Sequence, residues 1–204
     1  MLAPMDTPLL TRQRHRPRPA LRLFGALDFV QARLHEACGP ARHSLAALLI
    51  GAVRGPVLWI APAWAPDRLN PEGTCPFTGP DNGPDRLLFA TPQRREDLLW
   101  CMEEALRSGA TPLVIADLPA PPGLTPVRRL HLAAEEGATR GHYRPLGLIL
   151  TPGEGGAPGG ESCWHMAPAH DLDTDGWLLE RRRARDAPPA AWHLSGQPGA
   201  WALK

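Results

Sequence analysis

Lysine is all but missing from this chain. Lys204 is the only one in 204 residues, and the other 21 basic side chains are arginines. A phosphate loop of the Gly-Lys-Ser/Thr kind needs a lysine as a mobile point charge against the β- and γ-phosphates. No lysine precedes residue 204, so that form of the chemistry is excluded. A composition rich in Ala, Pro and Arg points to a GC-rich genome as one source of the shortage, but such bias does not usually remove a catalytic lysine. Cysteine is sparse too. Cys38, Cys75, Cys101 and Cys163 stand far apart, with no CxxC pair or zinc-ligand spacing. They read as reduced thiols, and no metal or other cofactor is expected. Long apolar runs are absent: nothing approaches the roughly 18 residues that would span a bilayer. The start has no apolar signal-peptide core, so a cytoplasmic protein with no membrane partner is expected. A net charge of +1 sets up no broad field to draw in nucleic acid.

What the chain does hold is proline and glycine, 25 and 20 of them, and a series of short apolar segments between them. Residues 1–19 form a basic, Pro-punctuated arm (Arg12, Arg14, His15, Arg16, Arg18) expected to be disordered. Over Leu21 to Leu34, Leu23, Leu27, Val30 and Leu34 recur at helical spacing and predict a helix. SLAALLIGAV (44–53) predicts a second, with Ser44 as its N-cap. VLWIA (57–61) and LLFA (87–90) read as strands on either side of an irregular, proline-rich excursion over 62–84. A helix follows from about Pro92 to the stop at Gly109, with Leu98, Met102, Ala105 and Leu106 on one face. LVIADL (113–118) and LGLIL (146–150) are buried strands, separated by a helix from about Thr125 to Thr139.

Strands alternating with helices and apolar on both faces predict a mostly parallel α/β sheet. After a Gly-rich loop (TPGEGGAPGGE, 151–161), Cys163–Ala167 and Trp177–Arg181 alternate and suit antiparallel edge strands. Residues 20–186 thus read as one α/β domain. Residues 187–204, set off by Pro188 and Pro189, read as a tail removable without unfolding the core.

The stretch LLFATPQRREDLLWCMEEALRSGATPLVIADL (87–118) resembles the strand–helix–strand heart of a RecA-like domain, with Asp117 at the magnesium-associated acid. RLHEACGP (33–40) is similar to the strand that delivers the phosphate loop, but after Gly39 the chain reads PARHS. WIAP (59–62) ends in Ala-Pro, where RecA-type ATPases place a water-activating Glu. Together with RRLHLAAEEG (128–137) and GWLLERRRARDAPPAAWHLSGQPGAWAL (176–203), this pattern resembles the ImuA family over roughly residues 20–203. The resemblance implies a degenerate RecA-like fold, helices flanking a mostly parallel sheet, without ATPase activity. It implies an accessory role in SOS-induced translesion synthesis. The implied partners are RecA, the Y-family polymerase homologue ImuB and, through it, an error-prone C-family polymerase. A more distant likeness is to the cell-division inhibitor SulA. A third reading is an NTPase with an arginine-based site.

Gly39, Arg42, His43, Ser44 and Asp117 mark the place of a vestigial nucleotide site, Asp117 ending a buried strand where α/β folds put ligand-binding groups. His43 and Ser44 open a helix, whose N–H groups favour anions. Arg94, Arg95, Arg128 and Arg129 lie at helix starts, against the dipole, and so call for a carboxylate, phosphate or partner nearby. Arg181, Arg182, Arg183 and Arg185, followed by Trp192 and Trp201, combine residue types enriched at binding hot spots. Any DNA binding through these arginines and the arm is expected to be weak and salt-dependent. Asp171, Asp173 and Asp175 with Gly176 resemble a calcium loop, but Arg182 stands where its closing Glu belongs.

Overall fold

The computed structural model describes residues 18–79, 82–170 and 175–204. Its first element corrects the expected helix over 21–34. β1 (Ala20–Leu23) and β2 (Leu27–Val30) form an antiparallel hairpin in which Leu23 faces Leu27. The four-residue spacing of these leucines is that of a helix, but here it spans a tight turn. Phe24 and Gly25 take left-handed φ values of 52° and 70°, a conformation that suits glycine and breaks a right-handed helix. Leu23, Leu27 and Phe29 are buried.

β3 (Leu34–Cys38) leads into α1 (Arg42–Ala52), and β4 (Val57–Ile60) follows. Ser44 does not cap α1: the helix starts two residues earlier, after Ala41, and no side chain caps it. The excursion beyond β4 is irregular as expected, with short 3₁₀ turns and one turn of α-helix, α2 (Cys75–Thr78). It lies over the outer side of α1, and Gly51 admits the backbone of Phe77 and Thr78 at the contact. That cover explains why α1 is apolar all round, burying Leu45 through Ile50. Arg86 secures the C-terminal end of α1 by donating to the carbonyls of Ile50 (2.9 Å), Val53 (3.1 Å) and Gly55 (2.6 Å).

β5 (Leu87–Ala90), α3 (Arg95–Ser108), β6 (Leu113–Asp117), α4 (Leu124–Arg140) and β7 (Leu146–Leu150) complete the alternation. α3 ends at Gly109 in the left-handed region, as its sequence predicts. α3 and α4 meet at Gly137, where an added Cβ would collide with the Leu106 carbonyl. β8 (Ser162–Pro168), β9 (Asp175–Ala184), β10 (Ala190–Gln197) and β11 (Ala200–Leu203) close the chain.

The nine-stranded sheet runs β11-β10-β9-β8-β3-β7-β6-β4-β5. Its six strands from β8 to β5 are parallel, and β9, β10 and β11 pair antiparallel. α1 and the β1–β2 hairpin cover one face, around Phe29, Leu45, Leu49, Trp59 and Trp164. α3 and α4 cover the other, packing Leu98, Met102 and Leu130 on Ile60, Val114 and Ile149.

Two expectations about the C-terminal region are corrected. β8 and β9 pair antiparallel as expected, but β8 is also parallel to β3, and neither is an edge. Residues 187–204 are not a tail: they supply the last two strands, and Pro198 and Gly199 form the turn between them. The tryptophans and Leu194 alternate along these strands, and Leu194 is wholly buried. Residues 1–17 of the expected basic arm and the acidic positions 171–174 lie outside the described residues. Among the described residues no helix is long and apolar enough to cross a membrane.

Candidate functional site

Parallel strands put their C-terminal ends on one edge, and the turn from β3 into α1 lies there beside the end of β6. It consists of Gly39, Pro40 and Ala41. Gly39 donates its N–H to the Gly153 carbonyl and Ala41 to that of Met166, both at 2.9 Å; Pro40 has no N–H to give. At φ 89° Gly39 is left-handed, and an added Cβ would stand 2.5 Å from the Met166 carbonyl. The glycine therefore serves the close approach of β8, and its turn does not present converging N–H groups to a phosphate.

The space in front of this turn is filled by side chains. His43 Nε2 donates to Asp117 Oδ2 at 2.7 Å, and Arg42 Nε lies 3.9 Å from Oδ1. The His43 ring tilts over buried Trp59 at 5.9 Å. Arg42, His43, Ser44 and Asp117 line one cleft of about 530 Å³, roofed by the excursion after β4. Gly39 does not reach it. Trp64, Asp67, Arg68 and Phe77 form its far wall, and the sequence held no signal for them because the excursion has no periodicity. The volume is that of a small-molecule site, typically ~300–1,000 Å³. A carboxylate that fixes an imidazole and steadies a guanidinium can hold a polar ligand in place. In-line phosphoryl transfer also needs a phosphate cradle and a group to position the nucleophile. The turn at Gly39 supplies no such cradle, and β4 runs out into Ala61 and Pro62.

A second polar centre was not anticipated. Glu36, in the middle of β3 and 1% exposed, receives the Gly-rich loop on its carboxylate. Thr151 Oγ1 donates to Oε1 at 2.8 Å, Gly156 N at 2.9 Å and Ala157 N at 3.1 Å. Successive N–H groups in a glycine-rich turn make an anion-binding nest, and here a buried side chain fills it. Four arginines expected as a partner-binding cluster are divided by a β-bulge at Cys163/Trp164, which leaves Arg182 unpaired in the ladder. Arg182 forms an ion pair with Glu154, Arg183 donates to the Ala157 carbonyl at 2.7 Å, and Arg185 lies 3.8 Å from buried Glu161. All three thus hold the same loop. Arg181 points to the other face and stacks over Trp192 at 5.1 Å and Trp164 at 5.7 Å.

Trp192 and Trp201 are half-buried. Trp201 donates its indole N–H to the Pro76 carbonyl at 2.9 Å and stacks on Phe77 at 5.5 Å; Trp192 lies against Trp164. Arg129 pairs with Glu103 at 2.8 Å, which accounts for one of the cations at helix starts.

His35 and His131 are buried near the end of the loop, where His131 Nε2 donates to the Gly159 carbonyl at 3.1 Å. His35 Nε2 donates to the Val30 carbonyl at 2.9 Å, so Nδ1 accepts from Ser162 Oγ at 2.6 Å. Burial pushes His35 down to about 4, and burial likewise lowers His131. The hydrogen bond to Cys38, and then burial, hold Cys163 far above the ordinary thiol range, and all four cysteines are free. Among the described residues no group of His, Cys, Asp or Glu is placed to hold a metal ion.

Comparison with protein-family models and with curated proteins finds no match for this chain.

Proposed function

We propose that this chain is a non-catalytic, RecA-like adaptor that works in the cytoplasm alongside RecA and the Y-family polymerase homologue ImuB during translesion synthesis. An error-prone C-family polymerase joins indirectly. The observation that carries the reading is the turn at Gly39–Ala41: it joins a parallel strand to the next helix, as a phosphate loop does, but spends its N–H groups on β8 and on Gly153. Asp117 remains at the end of β6 beside it, paired with His43 and Arg42. A scaffold that keeps an acid at the strand end, while lacking cradle, lysine and water-activating acid, suits binding rather than turnover. The engagement of Arg182, Arg183 and Arg185 within the fold supports weak DNA binding at most.

The test is twofold. Purified protein is expected to leave ATP unhydrolysed, and tagged protein to retain purified RecA and ImuB. Turnover abolished by Asp117→Asn would overturn the reading and favour an arginine-based NTPase. Retention of the division protein FtsZ, with neither RecA nor ImuB, would favour the SulA-like alternative.

A further inference from the structure

Among the described residues β5 ends the sheet and pairs with β4 alone. The Ala90 carbonyl accepts from Ala61 N at 3.1 Å. In a parallel ladder alternate residues face the same neighbour, so Leu88 and Ala90 face β4. The N–H and carbonyl of Phe89 and the carbonyl of Leu87 therefore point outward from the sheet. Natural edges are guarded by brevity, by charged residues such as lysine, by proline, by a bulge or by a covering element, and of these β5 has only its four-residue length. This chain has no lysine to place there, and the strand is regular. Leu88 and Phe89 instead stand 51% and 48% exposed, on opposite faces.

The exposed, unpaired charges nearest β5 differ in sign at its two ends; Arg86 is turned onto the carbonyls that end α1, and Glu96 and Asp97 lie in the first turn of α3. Asp85 precedes the strand and is exposed; Arg94 and Arg95 follow it, also exposed. None of the three forms an ion pair among the described residues. Laid side by side in parallel, two such edges would set like charges together. Laid antiparallel, they set the acid of each against the arginines of the other.

We propose that β5 is a self-pairing edge, through which two copies of this chain join antiparallel about a twofold axis into one continuous sheet. With Phe89 on the axis, each Phe89 exchanges both of its backbone hydrogen bonds with the Phe89 of the second copy. Each Leu87 carbonyl accepts from Thr91 N–H of the other. The two phenyl rings meet across the strands on one face and Leu88 meets Ala90 on the other, pairs that stabilise neighbouring strands. A contact that uses the same patch on both subunits closes at two copies and leaves this edge covered. The inference stands independently of the adaptor reading.

Sedimentation of the full chain over a concentration series tests it. A contact of this size lies at or below about 1,200 Å², so a monomer–dimer equilibrium in the micromolar range is expected. Hydrogen exchange at the Phe89 amide should slow as the dimer fills. Phe89→Lys, and separately Leu88→Lys, should weaken association roughly tenfold or more, with thermal melting unchanged as the check on folding. Asp85→Arg alone, and Arg94→Asp with Arg95→Asp, should each weaken it, and the three changes combined in one chain should restore it, because every acid–arginine pair is then reversed. A chain that stays monomeric throughout overturns the proposal, as does a dimer indifferent to Phe89→Lys. So does protection of Phe89 that appears only on adding RecA, which would give the edge to a different occupant.

Discussion

Glu36 concentrates more of the structure than any residue the sequence drew attention to. Its carboxylate takes Thr151, Gly156 and Ala157 at once, and Thr151 and Ala157 are closed to water. Glu36→Ala strands those donors, and an unsatisfied buried donor costs about 1–3 kcal/mol. We expect a loss of about 3 kcal/mol in urea unfolding, with new proteolytic cleavage between 151 and 161. A loss under about 1 kcal/mol, with the loop still resistant, would show that the arginines of β9 suffice to hold it. Nothing in RLHEACGP disclosed this role, since a glutamate between His35 and Ala37 looks the same whether it faces solvent, a partner or a nest.

Among the elements, β10 and β11 alter what truncation should do. Read as a tail, residues 187–204 could be removed at no cost to the core. As strands they cover Trp164 and Trp177, against which Trp192 and Trp201 pack, and Leu194 is part of the core. Deletion from Ala187 onward is therefore expected to abolish the cooperative thermal transition or lower it by many degrees. An unchanged melt would return the segment to the status of a tail. The helices and the buried parallel strands were legible because their periods are long or their runs unbroken: Leu98, Met102 and Leu106 fall where the sequence put them. The β1–β2 hairpin was not, because Leu23 and Leu27 are four apart on opposite arms of a turn. Pro198 and Gly199 read as a break for the same reason, since the residues that end a strand also make the turn to the next.

For the molecule as a whole, the buried imidazoles set a direction for its response to acid. His35 titrates near 4 in the folded chain against an ordinary value of 6.5. Between those values the unfolded chain binds a proton that the folded chain refuses, so stability falls as pH drops through that window and is level above it. His35 alone accounts for roughly 3 kcal/mol, and His131 acts in the same direction. Urea midpoints at pH 7.5, 6 and 5 should decline in that order, and His35→Gln should flatten the slope. A midpoint that rises on acidification would contradict the burial of a neutral imidazole.

The candidate site was half legible at this scale. Arg42, His43, Ser44 and Asp117 do line one cleft, because a strand end and the following helix start are fixed by the topology of alternating elements. Its far wall comes from an aperiodic segment, and no pattern could place Trp64 or Phe77 there. The Gly-rich loop has a different consequence. A dissociable anion would leave such a nest empty whenever its concentration fell; Glu36 is tied to the same chain, so its effective concentration never does. In ligand-binding terms the loop has no apo form: its order is indifferent to the phosphate or carboxylate in the medium, and it is surrendered only when β3 itself comes apart.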